Sequence, residues 1–251
     1  MSRLSPRTFV VGDIHGQLDH FERLWSRFPA LSADDTVVFL GDYLDRGPDS
    51  RGVVEALLAL SETCPAKLVF LRGNHEDGWL RVLDRGFPQF VLPAPNGCVA
   101  CFRSFSGHPM SAELPSARDM TEMLAGSFFP ERVVEWMRAM PYWYEDEHAI
   151  YVHAGLPQKE GRFLHPSEVE DPLVLLWLRS TEFFREYAGK RVICGHTATE
   201  DLPQDLSSYT PEDPTDLWFR GAVVAIDTKC GKAGGFLTAF ELPAMTVYES
   251  R

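Results

Sequence analysis

The chain has 251 residues, 45% of them hydrophobic and 24% charged, with a formal net charge of −12. That length can bury a full core, and a single domain over residues 1–251 is expected. So acidic a surface argues against nucleic acid as a partner, and no apolar run reaches the ~20 residues of a membrane span.

The opening stretch from Met1 to Arg7 is polar and lacks the apolar centre of a signal peptide, which points to the cytoplasm. Thr8 to Val11 reads as a strand ending at Gly12-Asp13, and Leu18, Phe21, Leu24, Trp25 and Phe28 then repeat at helical spacing. Thr36 to Leu40 is a second strand, Val53 to Leu60 an apolar helix and Lys67 to Leu71 a third strand. This βαβαβ order predicts parallel strands whose carboxyl ends border a ligand site. Residues 86–118 are rich in Pro and Gly and predict a hairpin around Asn96-Gly97, with Cys98 and Cys101 on a strand. The five cysteines are odd in number, and reduced thiols are expected.

Helices are expected near 119–127 and 131–139, paired strands over Tyr142 to Tyr144 and Ala149 to Val152, and a helix from Leu173 to Arg179. Arg191 to Cys194 reads as a strand. Residues 199–220 read as an acidic surface loop that borders the site with Trp218 and Phe219. Ala222 to Ile226, Phe236 to Leu242 and Thr246 to Tyr248 close the chain as strands.

Five glycine-flanked pieces stand out: 12–16 (GDIHG), 41–47 (GDYLDRG), 73–76 (GNHE), 153–155 (HAG) and 195–197 (GHT). Asp13 and His15 are two apart, so in extended chain both project to one side. With Asp42, Asn74, His153 and His196 they make a set of two carboxylates, one amide and three imidazoles. Such a set suits Mn²⁺, Fe or Zn²⁺ better than Ca²⁺ or a thiolate zinc site. Six ligands exceed what one catalytic ion with open positions needs, and they fit two ions sharing a carboxylate. Two such ions would offset about four negative charges. His20, His108, His148 and His165 fall outside the pattern and read as ordinary histidines.

These pieces resemble the phosphoprotein phosphatase family of metallophosphoesterases, in particular its bacterial and phage-type branch, over about residues 8–241. The resemblance implies an α/β fold: a four-layer α/β/β/α sandwich of two mixed sheets flanked by helices. It assigns Asp13 and His15 to one ion, Asn74, His153 and His196 to a second, and Asp42 to both, with Mn²⁺ the expected metal. Arg46, Arg72 and Arg179 match phosphate-binding arginines, His75 a general acid and Asp45 the carboxylate that orients it. The implied activity is phosphomonoester hydrolysis by a hydroxide held between the ions, acting on a phosphorylated protein or peptide at serine or threonine. A symmetrical dinucleoside polyphosphate hydrolase is the alternative on the same fold, and nucleotides are then the substrates. Relatives of that kind usually lack the acid at Asp45 and carry Asp in place of Glu76. An inactive binding scaffold is a remote alternative, since no ligand of the set is missing. Lys229 departs from the pattern, which has Gly there.

Overall fold

The computed structural model describes residues 6–111, 113–208, 213 and 216–251. Thr8–Val11 (β1), Thr36–Phe39 (β2) and Lys67–Phe70 (β3) are short runs of β-branched and aromatic residues, the types that pack well on a pleated surface. They lie parallel in the order β1-β2-β3. Helices Leu18–Trp25 (α1) and Ser50–Thr63 (α2) make the crossovers. Asp49 starts α2 by accepting the Gly52 N–H at 2.8 Å.

The chain then runs through Asn74–Arg85 (α3), the short Pro88–Val91 (α4), Cys98–Ser106 (α5), Ala117–Ala125 (α6) and Glu131–Ala139 (α7). The hairpin expected around Asn96-Gly97 is absent from this helical region. Gly97 is left-handed (φ 76°) and links a 3-10 turn to α5. Cys98, Cys101, Phe102 and Phe105 are buried on one face of that helix. The second half contributes Trp143–Glu145 (β4), Ile150–Val152 (β5), the small hairpin Gln158–Lys159 (β6) and Arg162–Phe163 (β7), then Val174–Trp177 (α8) and Thr181–Glu186 (α9). Val192–Cys194 (β8), Trp218–Arg220 (β9), Val223–Ala225 (β10), Thr238–Leu242 (β11) and Thr246–Glu249 (β12) complete it.

Two corrections follow. α8 stops at Trp177, so Arg179 lies beyond it on extended chain rather than on a helix. The stretch 199–220 ends in strand β9, and its residues 209–212, 214 and 215 lie outside the described residues. Trp218 does not border the site: it is buried, edge-on to Phe184 at 5.5 Å, and donates to the Pro203 carbonyl.

The strands form two mixed five-stranded sheets, β12-β11-β1-β2-β3 and β4-β5-β8-β10-β9. Val10, Val38 and Leu71 of the first face Tyr151, Ile193 and Val224 of the second across one apolar layer. The outer face of the first sheet is covered by α1, α2, α3 and the helices after it through Phe21, Leu57, Trp79 and Met137. The outer face of the second is covered by α8 and α9 through Leu175, Phe183 and Phe184. The result is the expected α/β/β/α sandwich. Alternation along each strand sends one face to the shared layer and the other to the helices, so both faces are buried. No helix among the described residues is long and apolar enough to cross a membrane.

Candidate metal centre

Asp13, Asp42, Asn74, His153 and His196 each stand one to four residues past the carboxyl end of β1, β2, β3, β5 and β8. The sandwich thus delivers residues from both sheets to one edge. The backbone turns sharply there. Eight non-glycine residues among those described have positive φ, and five of them are His15, Asp42, Asp45, Arg46 and His196. Such conformations cost about 1–3 kcal/mol each and persist only where the surroundings hold them, as at functional sites. Close approach is needed too: a side-chain carbon at Gly73 would stand 2.2 Å from Asp42 Oδ1, and one at Gly195 2.1 Å from Asp13 Oδ1.

One group consists of Asp42, Asn74, His153 and His196. His153 Nδ1–H donates to the Leu40 carbonyl at 2.8 Å, so its Nε2 carries a lone pair. That Nε2 lies 3.0 Å from Asn74 Oδ1 and 3.4 Å from Asp42 Oδ1. Burial lowers the His153 pKa, so the ring is neutral near pH 7 and supplies no proton to separate these acceptors. His196 Nδ1 lies 2.8 Å from the same Asn74 oxygen, and its buried Nε2 has no hydrogen-bond partner among the described residues. At His153 Nε2 a lone pair thus converges on two acceptor oxygens with no proton between them, as in the donor set of a cation. His153, His196 and Asp42 offer atoms within 4.8 Å of one another.

The other group consists of Asp13, His15 and Asp42. His15 Nδ1–H donates to the Leu44 carbonyl at 2.9 Å, leaving Nε2 3.4 Å from Asp42 Oδ2 and 4.0 Å from Asp13 Oδ2. Arg46 Nη1 sits against this Nε2. Burial, with the charges of Asp227 and Asp42, pushes the Asp13 carboxyl well above its ordinary range. Burial alone would also raise Asp42, but the imidazoles of His153, His75 and His15 outweigh it and hold Asp42 well below. Buried carboxylates this close need positive charge, so both groups fit divalent ions, with Asp42 common to them. Asp227, fully buried beside them, was not singled out as a site residue from the sequence.

His75 stands over Asp42, its Nε2 3.8 Å from Asp42 Oδ2 and its Nδ1 2.6 Å from Asp45 Oδ2. Trp79 Nε1–H donates to Asp45 Oδ1 at 2.9 Å. Trp79 is absent from the sequence reading, although its place four residues after His75 on α3 puts it on the same helix face. Glu76 is a brace: one carboxylate oxygen accepts the N–H groups of Asp42 and Gly73, the other those of Tyr43 and Leu44, at 2.9–3.3 Å. It ties the turn after β2 to the turn after β3.

The three arginines are placed differently. Arg46 reaches His15 and lies 3.3 Å from His75 Nε2 through Nη2. The Gly97 carbonyl accepts its backbone N–H at 3.2 Å, which brings the start of α5 to the border of the site. Arg179 stands beside His196, bonded to Thr197 Oγ1 at 3.3 Å and the His196 carbonyl at 3.4 Å. Arg72 is turned away from the ion groups: it donates to the Tyr142 hydroxyl at 2.9 Å and the Arg138 carbonyl at 2.7 Å. His20, His148 and His165 are bonded elsewhere, to Ser250, the Pro6 carbonyl and Glu145. Lys229 keeps the turn expected of glycine by adopting φ 66°, with its ammonium 2.7 Å from Glu200.

Residues 6–221 match the family model for calcineurin-like phosphoesterases. A Schizosaccharomyces pombe protein named as a candidate serine/threonine-protein phosphatase is 42% identical over 74 residues, 30% of this chain. That match covers 24% of the relative, so the chain spans about a quarter of the length of the curated protein it resembles. Among solved structures, one described as a candidate diadenosine tetraphosphatase superposes with TM-score 0.59 at 20% identity, over 99% of this chain and 95% of that one. A serine/threonine phosphatase from Saccharomyces cerevisiae gives 0.51 at 20% identity, over 95% and 73%. A cold-active protein-tyrosine phosphatase of a Shewanella species gives 0.54 at 16%, over 98% and 80%. At these identities the likeness concerns the fold.

Proposed function

The chain belongs to the calcineurin-like phosphoesterase family, and we propose that it is a phosphomonoester hydrolase acting on phosphoserine and phosphothreonine in proteins or peptides. Asp13, His15 and Asp42 would hold one divalent ion; Asp42, Asn74, His153 and His196 would hold the second. Mn²⁺ is the metal proposed for both. When bound, such ions polarise phosphoryl oxygens and make water a nucleophile near neutral pH.

The chain's own residues supply the rest. With His15 Nε2 given to an ion, the Arg46 guanidinium that now meets it would be free to face the substrate. There its planar fork suits two phosphoryl oxygens at once. Arg179, beside His196, would be a second arginine within reach of the phosphoryl group. A serine or threonine alkoxide is a poor leaving group and needs a proton as the P–O bond breaks. The observation that carries the reading is the 2.6 Å contact from Asp45 Oδ2 to His75 Nδ1. With Nδ1–H committed to Asp45, the second proton of a charged His75 sits on Nε2, facing the cluster, ready for the ester oxygen.

The test is turnover of a phosphoserine peptide beside diadenosine tetraphosphate in Mn²⁺. Preference for the peptide is expected; turnover confined to the dinucleotide would replace this reading with the polyphosphate hydrolase.

A further inference from the structure

Next to the ion cluster, α3 carries a second pattern. Asp77, Arg81 and Arg85 recur every fourth residue and therefore share a helix face. That face walls a groove of ≈ 390 Å³ with four arginines, Arg72, Arg81, Arg85 and Arg138, against two aspartates, Asp77 and Asp84. Both aspartates are already engaged. Asp77 forms an ion pair with Arg81, its Oδ2 2.8 Å from Nε, and accepts the Trp177 indole N–H at 2.9 Å, and Asp84 is paired with Arg138. The groove is thus locally positive on a chain of net charge −12. It is also ordered: the Arg81 guanidinium lies 5.6 Å from the ring centres of both Phe87 and Trp177, and Arg72 is pinned by Tyr142 and the Arg138 carbonyl. Arg72 is 9% exposed, and its buried Nε has no hydrogen-bond partner among the described residues.

Arg72 lines the groove and immediately precedes Gly73-Asn74, so the groove and the second ion group are neighbours along the chain. We propose that this groove receives an acidic side chain of the phosphopeptide, which selects substrates with acidic residues at a set distance from the phosphorylated one. The inference rests on the peptide phosphatase reading above. The helix sets the spacing. Arg81 and Arg85 lie seven and eleven residues from Asn74, about 10 and 16 Å along a helix axis. An extended peptide covers ~3.3 Å per residue, which places the acid about three to five residues from the phosphoresidue.

The experiment compares kcat/KM for a phosphothreonine peptide carrying a single Glu, stepped through the five positions on each side, with its all-Ala parent. The wild-type protein should favour Glu at one position about three to five residues out, by about threefold to tenfold and chiefly through KM, as for an exposed ion pair. High salt should erase the preference. Arg85→Glu should reverse it towards a Lys-substituted peptide, and Arg85→Lys should retain most of it. Arg85 is exposed on the last turn of α3, so these variants leave the core intact. Peptides turned over with no positional preference, or a preference untouched by Arg85→Glu, would overturn the groove assignment. Hydrolysis of p-nitrophenyl phosphate without turnover of any peptide would instead overturn the substrate class.

Discussion

His75 Nδ1 and Asp45 Oδ2 lie 2.6 Å apart, both side chains nearly fully buried. Burial alone would lower the His75 pKa; Asp42 and Asp45 outweigh it, so the imidazole is raised above its ordinary value. It therefore stays charged further into the neutral range, which suits a proton donor. His75→Asn should lower kcat on a phosphoserine peptide by about a hundredfold or more, within the span usual for a general acid. The loss on p-nitrophenyl phosphate, whose leaving group needs little protonation, should be much smaller. Equal losses on both substrates would remove His75 from that role.

Asp45→Asn gives a directional test. The variant removes one of the charges that raise His75, so the pH at which His75 deprotonates must fall. The alkaline limb of kcat/KM for the peptide should move to lower pH, measured as a full profile in saturating Mn²⁺. A limb left in place would mean that another group sets it.

Glu76 is held by four backbone N–H groups from two segments. Burial, with the nearby Asp42 charge, pushes its carboxyl up to about 7, while those N–H groups favour the charged form. Glu76→Gln would aim an amide NH₂ at N–H donors. A loss of about 2–4 kcal/mol in urea unfolding is expected, as when a buried network is left unsatisfied. Glu76→Asp, one methylene shorter, should also be destabilised because it cannot span both turns. Unfolding within ~0.5 kcal/mol of wild type would show that the brace is dispensable.

Asp35 tests stability away from the site. Burial opposes its charge, but hydrogen bonds from Arg7 and from the Ser32 N–H and hydroxyl overcome this and lower its pKa to about 2. A folded pKa below the unfolded value near ~3.9 contributes stability that is complete above pH ~4 and is lost as pH falls towards ~2. Asp35→Asn should cost ~1–2 kcal/mol at neutral pH, allowing for the part-exposed Arg7. The gap to wild type in urea melts should narrow as pH falls from ~4 towards ~2; a constant gap would contradict the linkage.

The strand ends were legible because apolar β-branched runs stop at Gly-Asp or Gly-Asn, a signal written in adjacent residues. The fold of the 86–118 segment was misread for a physical reason. Asn-Gly favours left-handed turns of several kinds, and Gly97 uses that freedom to start a helix instead. The period was present: Cys98, Cys101, Phe102 and Phe105 recur at i, i+3, i+4 and i+7, helical spacing that the preceding Asn-Gly turn signal outweighed. Trp79 was missed because it acts through Asp45, a contact made across the fold. Arg72 carries a motif position, yet its guanidinium follows Tyr142, seventy residues on, a contact no local pattern encodes.

The most direct test is metal stoichiometry by mass spectrometry after equilibrium dialysis against Mn²⁺, for wild type, His15→Ala and Asp42→Asn. Two ions per chain are expected for the wild type, about one for His15→Ala, and a loss of tight binding at both places for Asp42→Asn, since both donor groups use that carboxylate. Two ions still bound tightly by Asp42→Asn would contradict a centre built around it.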